Sequence, residues 1–122
     1  MKIQIKIKRV YDEPSESDGL RVLVDKFWPR GVKKIDLPYD IWAKGIVPSD
    51  VLRQTFHKDI PTRFDEFAKQ YAQELRKSEG FHSFIQDLKT RNTDTLTLLY
   101  ASRFPKTNHA LVLQKEIERV LK

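Results

Sequence analysis

The chain has 122 residues, a hydrophobic fraction of 39% and a charged fraction of 33%, a balance that predicts one soluble globular domain over residues 1–122. It contains no cysteine, which excludes disulfides, a thiol nucleophile and thiolate metal sites. A formal net charge of +6 favours an anionic partner, although many of the lysines alternate with apolar residues in the manner of a solubilising coat.

The opening Lys2-Ile3-Gln4-Ile5-Lys6-Ile7-Lys8 alternates strictly, which predicts a strand with one buried face and lysines that discourage edge pairing. Nothing there resembles an apolar signal core, and no apolar run approaches the ~20 residues that span a bilayer, so the expected location is the cytoplasm. Residues 12–19 carry turn chemistry. The apolar run of residues 20–24 predicts a second strand, over about 20–25, buried on both faces. The gap of about ten residues leaves two pairings open for these strands, a short parallel crossover or an antiparallel hairpin with a long loop.

Between 32 and 47, Trp42 and Ile46 are expected to pack, with a helical turn near 39–44. Pro48-Ser49 starts a helix with Val51, Leu52, Thr55 and Phe56 on one face. Asp59 caps the next, with Pro61 in its first turn and a stripe of Phe64, Phe67, Tyr71 and Leu75. Gly80 is expected to separate it from a third helix bearing Phe81, Phe84, Ile85 and Leu88. Residues 95–101 form a strand. Asn108 or Thr107 caps a final helix with Leu113, Ile117, Val120 and Leu121 inward. This order predicts an α/β fold: a small, mainly parallel sheet of three or four strands flanked by helices in a Rossmann-like three-layer arrangement.

Three segments could carry chemistry. The second strand ends in Asp25 and Lys26 and feeds Phe27-Trp28-Pro29-Arg30-Gly31, where Arg30 offers a fork of donors to a carboxylate or phosphate and Trp28 a stacking surface. The competing reading has Trp28 in the core and Arg30 paired with Asp25 or Asp40. The last strand feeds Ser102-Arg103-Phe104-Pro105-Lys106-Thr107-Asn108-His109, a cationic loop running into a helix N-terminus, which attracts anions. There the competing reading is ordinary capping by Asn108. In the third segment, His57 and Asp59 could exchange protons, against the simpler reading of a helix cap. His82 is expected to be exposed. His57, His82 and His109 show no metal-ligand spacing, so no metal or cofactor is expected. The serines lack a nucleophile-elbow context, and no nucleic-acid-binding motif matches.

These same residues resemble the YeaO-like proteins, a bacterial family described as domain of unknown function 488. Lys8-Arg9-Val10-Tyr11, the run from Asp18 to Gly31, Trp42, the run from Pro48 to Asp59, Leu98-Leu99-Tyr100-Ala101-Ser102-Arg103 and Asn108-His109-Ala110 carry the resemblance. The family usually has arginine at Lys26 and a leucine-like residue at Phe27. The resemblance implies a parallel α/β domain in which loop 12–19 stands for a helix of the longer members, and this favours parallel pairing of the first two strands. It also implies that longer members carry Cys-His-Arg where this chain has Asn108-His109-Ala110. It supplies no substrate, reaction or cofactor.

The leading expectation is an anion-binding pocket at the strand carboxyl ends, lined by Asp25, Trp28, Arg30, Arg103, Asn108 and His109. It would take a phosphate-bearing small molecule or nucleotide. If proton transfer occurs, His109 is the first candidate and His57 the second. Two alternatives are a nucleic-acid-binding module that uses net positive charge and an interaction scaffold marked by an exposed apolar patch.

Overall fold

The computed structural model describes residues 3–121. Met1, Lys2 and Lys122 lie outside the described residues, and with them the first lysine of the expected alternation. Four strands, β1 (Gln4–Arg9), β2 (Leu20–Leu23), β3 (Ile41–Trp42) and β4 (Thr95–Tyr100), form one sheet in the order β1-β4-β2-β3. Every pairing is parallel. Four helices accompany them: α1 (Asp50–His57), α2 (Ile60–Arg76), α3 (Glu79–Arg91) and α4 (His109–Leu121).

Neither expected pairing of the first two strands is realised, the parallel crossover or the hairpin: they run parallel, but β4 lies between them and pairs with both. Leu96, Leu98, Leu99 and Tyr100 of β4 are all buried, so this strand belongs at the centre of the sheet. Skipping one place costs the chain little. A return along six residues and a step across two strand spacings needs about 30 Å, which ten extended residues can reach. The link is anchored by a single 3-10 turn, Glu16–Asp18, with Ser15 and Asp18 forming a reciprocal cap. Gly19 follows at φ +64°, where a Cβ would lie 2.3 Å from the Thr95 carbonyl oxygen, so the backbone can pass β4 only as glycine.

Alternation along the strands divides the core in two. Val22, Val24, Leu96, Leu98 and Tyr100 join the apolar residues of all four helices. Leu23 and Leu99 point the other way, to Val10 and Leu37, with Trp28, Val32 and Trp42 packed around them. The three layers are therefore helix, sheet and a covering of loop chain with one 3-10 turn, Lys34–Asp36. Phe56 and Phe67 stack across α1 and α2 with ring centres 3.9 Å apart and planes 11° from parallel.

Several local expectations are corrected. Residues Ile41–Trp42 form β3, not a helical turn; the turn comes later, at Lys44–Ile46. Val51 is exposed because α1 buries only Leu52 and Phe56. Asp59 occupies the N-cap of α2 but its side chain makes no capping bond. Gly80 lies inside the first turn of α3, which Ser78 caps through the Phe81 N–H. Phe64 is half-buried at the end of its stripe, and Val120 is on the exposed side of α4. Among the described residues, no helix is long and apolar enough to cross a membrane.

Candidate functional site

β4 and β2 are neighbours whose chains leave the sheet on opposite sides. After β4 the chain enters α4 on the side of the α-helices; after β2 it enters the opposite, loop-covered layer. Such a switch point opens a crevice at the carboxyl ends of the strands. A cleft of about 540 Å³ lies there, and Asp25, Trp28, Arg30, Arg103, Asn108, His109 and His57 all line it. The expected residues from three separate stretches of sequence thus meet in one place, because parallel strands deliver their ends to one edge.

Asp25 closes the edge between the two strands. Its Oδ2 accepts the Ala101 N–H at 2.9 Å, and its carbonyl accepts the Trp42 indole N–H at 2.7 Å. Its Oδ1 lies 2.9 Å from His109 Nε2 yet is buried without a well-aligned hydrogen bond. His109 Nε2 also lies 3.0 Å from the Val24 carbonyl oxygen. A carbonyl only accepts, so this contact is a hydrogen bond when the proton is on Nε2, and that assignment turns the N–H toward Val24. The His109 ring is thereby tied to the end of β2 from the first turn of α4.

Asn108 resolves in favour of capping. Its side-chain oxygen accepts the Leu111 N–H at 3.1 Å and its amide donates to the Phe104 carbonyl at 2.8 Å. It is 1% exposed, so its polar atoms hold the loop rather than face an open cleft. Trp28 is half-buried: its indole N–H donates to the Val32 carbonyl, and its ring packs edgewise on Tyr39 and Trp42. Arg30 and Arg103 are exposed, and among the described residues neither has an ion-pair partner. The expected alternative of Arg30 with Asp25 or Asp40 is not realised; Asp40 instead accepts the Arg21 N–H at 2.8 Å.

Three contributors were not singled out in the sequence. Arg9 donates to the Ser102 carbonyl at 3.0 Å and to the Ala101 carbonyl at 3.2 Å, fixing the loop after β4. The Tyr11 hydroxyl donates to the Arg30 carbonyl, fixing the loop after β2. Arg53, from α1, reaches the cleft with its Nε buried and unbonded. Its neighbour Asp50 also pairs with Lys26. The partners of Arg9 and Tyr11 are backbone atoms distant in sequence, whereas Arg53 pairs with Asp50 one helical turn away, a spacing that does not show which way the pair faces.

The cleft wall thus holds four cations, Lys26, Arg30, Arg53 and Arg103, two histidines and one carboxylate, Asp25. His57 feels this excess. Partial desolvation, then the charges of Arg53 and His109, hold its pKa below the usual histidine range against the opposing pull of Asp25. His57 is therefore neutral at pH 7. No group of acidic and histidine side chains suited to a metal ion occurs among the described residues.

An α/β chain with this switch-point cleft is the class that fold and geometry define. Residues 4–122 match the family model described as "Inactive DUF488-N3 subclade", and the chain belongs to that family. It is 44% identical over 111 residues to the uncharacterized protein YeaO of Escherichia coli, covering 91% of this chain and 94% of that protein. It is 38% identical over 110 residues to the uncharacterized protein Rv3073c of Mycobacterium tuberculosis, covering 90% of each. No solved structure matches.

Proposed function

We propose that this protein binds a phosphate-bearing small molecule, without transforming it, in the cleft at the carboxyl ends of β2 and β4. One observation carries the reading. The cleft collects four cations and two histidines against a single carboxylate, and two of the cations, Arg30 and Arg103, have no ion-pair partner among the described residues. Like charges gathered in one concavity repel, and an anion relieves that repulsion. Guanidinium forks suit phosphate oxygens better than isolated ammonium groups do.

Two points support binding over catalysis. Asn108 stands where the resemblance puts a cysteine in longer members, and a carboxamide committed to capping is no nucleophile. The matching subclade is itself described as inactive. Ser102, the hydroxyl that lines the cleft on the same loop, accepts the Phe104 N–H. His109, the first candidate for proton transfer, has its Nε2 proton turned to the Val24 carbonyl beside Asp25, so that edge of the ring is committed to the wall of the cleft.

Calorimetric titration with pyrophosphate tests the reading. Arg30→Ala or Arg103→Ala should each weaken binding by about 1.5–3 kcal/mol, the worth of a charge-assisted hydrogen bond. Reversal of the remote Lys69, Lys77 and Lys89 should change it little, because exposed charges beyond a Debye length are screened. Pyrophosphate affinity indifferent to both arginines would sink the proposal. So would binding lost through the lysine reversals alone, which points to nucleic acid held by net charge.

A further inference from the structure

The rim of the cleft has a feature that anion binding does not use. Phe27 is 63% exposed, although it follows a fully buried strand end. It is held by cations rather than by packing: the Lys26 ammonium lies 5.3 Å and the Arg53 guanidinium 5.5 Å from its ring centre. Tyr11 is 50% exposed, with the Arg9 guanidinium 4.9 Å from its ring centre. Phe104 has the Arg103 guanidinium at 5.4 Å. All three rings line the same cleft.

An aromatic face beside a positive charge is the pairing that holds a stacked base next to its phosphate. Trp28, the ring that the sequence suggested for stacking, is already engaged by Tyr39, Trp42 and the Val32 carbonyl. Phe27 has no such engagement. Beside it, Arg53 keeps a buried Nε without an acceptor, a donor that a ligand oxygen can satisfy.

We infer that the ligand is a nucleotide, with its base stacked on Phe27 and its phosphate held by Arg30 and Arg103. This rests on the anion-binding reading and narrows it from phosphate esters in general to those carrying an aromatic base. A free nucleotide and the terminal nucleotide of a single strand present the same chemistry.

The test compares pyrophosphate, ribose 5-phosphate, the nucleoside 5′-monophosphates and a short 5′-phosphorylated single-stranded oligonucleotide, each titrated by calorimetry. At least one nucleoside monophosphate should bind roughly ten- to a hundredfold more tightly than ribose 5-phosphate, the margin expected of one base stacked on one ring. Phe27→Ala should erase that margin and leave ribose 5-phosphate affinity unchanged. Because the ring is exposed, the variant should melt with the parent. Phe27→Trp should restore the margin and add an indole emission that the bound base quenches. An oligonucleotide tighter than its monophosphate assigns the site to strand ends; equal affinities assign it to free nucleotides. If ribose 5-phosphate binds as tightly as every monophosphate, the base platform is overturned and the anion site stands. If no probe binds, both fail.

Discussion

At the start of β2, the Asp18 carboxylate meets Lys8, Arg21 and the Ser15 N–H. At the end of the same strand, the Asp25 carboxylate meets one backbone N–H and the edge of one histidine, while Arg30 and Arg103 have no ion-pair partner among the described residues. The first cluster is complete. Arg21, 7% exposed, also donates its Nε–H to the Pro38 carbonyl, and Thr97 donates to the Asp18 carbonyl. The second leaves Asp25 Oδ1 and Arg53 Nε buried and unbonded. Complete pairing of buried charge is what a stabilising cluster requires; incompleteness of this kind is where a ligand is expected.

The largest effect that could break this comparison belongs to Asp18. Burial alone would raise its pKa, but the Ser15 N–H, Lys8 and Arg21 outweigh burial and hold it below the usual carboxylate range. Asp18→Asn would leave Arg21 buried without its counter-charge, at a cost of about 3–5 kcal/mol. Urea denaturation reads this directly. A loss under 1 kcal/mol would show that the cluster at the start of β2 is as dispensable as a surface pair.

What the sequence made legible follows from what is periodic or local. The stripe of Phe67, Tyr71 and Leu75 is buried because helical spacing alone dictates it. The meeting of Asp25, Arg30, Arg103 and His109 in one cleft follows from two apolar strands that end alike. The insertion of β4 between β1 and β2 was not legible, since strand order depends on tertiary competition for the centre of the sheet. The two-residue strand at Ile41–Trp42 is too short to show a period. The roles of Arg9, Tyr11 and Arg53 were hidden for a further reason. Arg9 and Tyr11 brace loops through carbonyl oxygens, and any residue type supplies a carbonyl.

A smaller effect separates the two ends of β2 by pH. Glu116 resembles Asp18: burial would raise its pKa, but Arg76 and Arg119 hold it low. Both carboxylates have folded pKa values below their unfolded ones. Their stabilisation is therefore complete above the unfolded carboxylate pKa and is lost as pH falls through the folded values. His57 acts in another window. Its folded pKa lies below 6.5, so the unfolded chain takes the proton first and stability starts to decline as pH falls through 6.5. His57→Gln should remove the early decline and leave the acid one. Protonation of His57 also adds charge to the cleft, so on going from pH 7.5 to 5.5 the pyrophosphate affinity of the parent should rise relative to that of His57→Gln, whose own change reports the titration of the ligand. A parent whose stability is flat between pH 7 and 5 would contradict a lowered His57 pKa in the folded chain.

The smallest expected effect is the sharpest discriminator. Arg30→Ala and Arg103→Ala remove exposed side chains with no ion-pair partner, so each should shift unfolding free energy by no more than about 0.5 kcal/mol. Arg21→Ala removes the same side chain from the completed cluster and strands a buried carboxylate, so it should cost several times as much. One residue type, substituted identically at the two ends of one strand, would then give opposite phenotypes. Arginine at the start would govern folding without touching the cleft, and arginine at the end would govern anion affinity without touching stability. The comparison would break if Arg30→Ala or Arg103→Ala destabilised the fold by more than 1 kcal/mol. Such a loss would mean that these guanidinium groups already hold the loops after β2 and β4 together, as Arg9 does, and are not held open for a ligand.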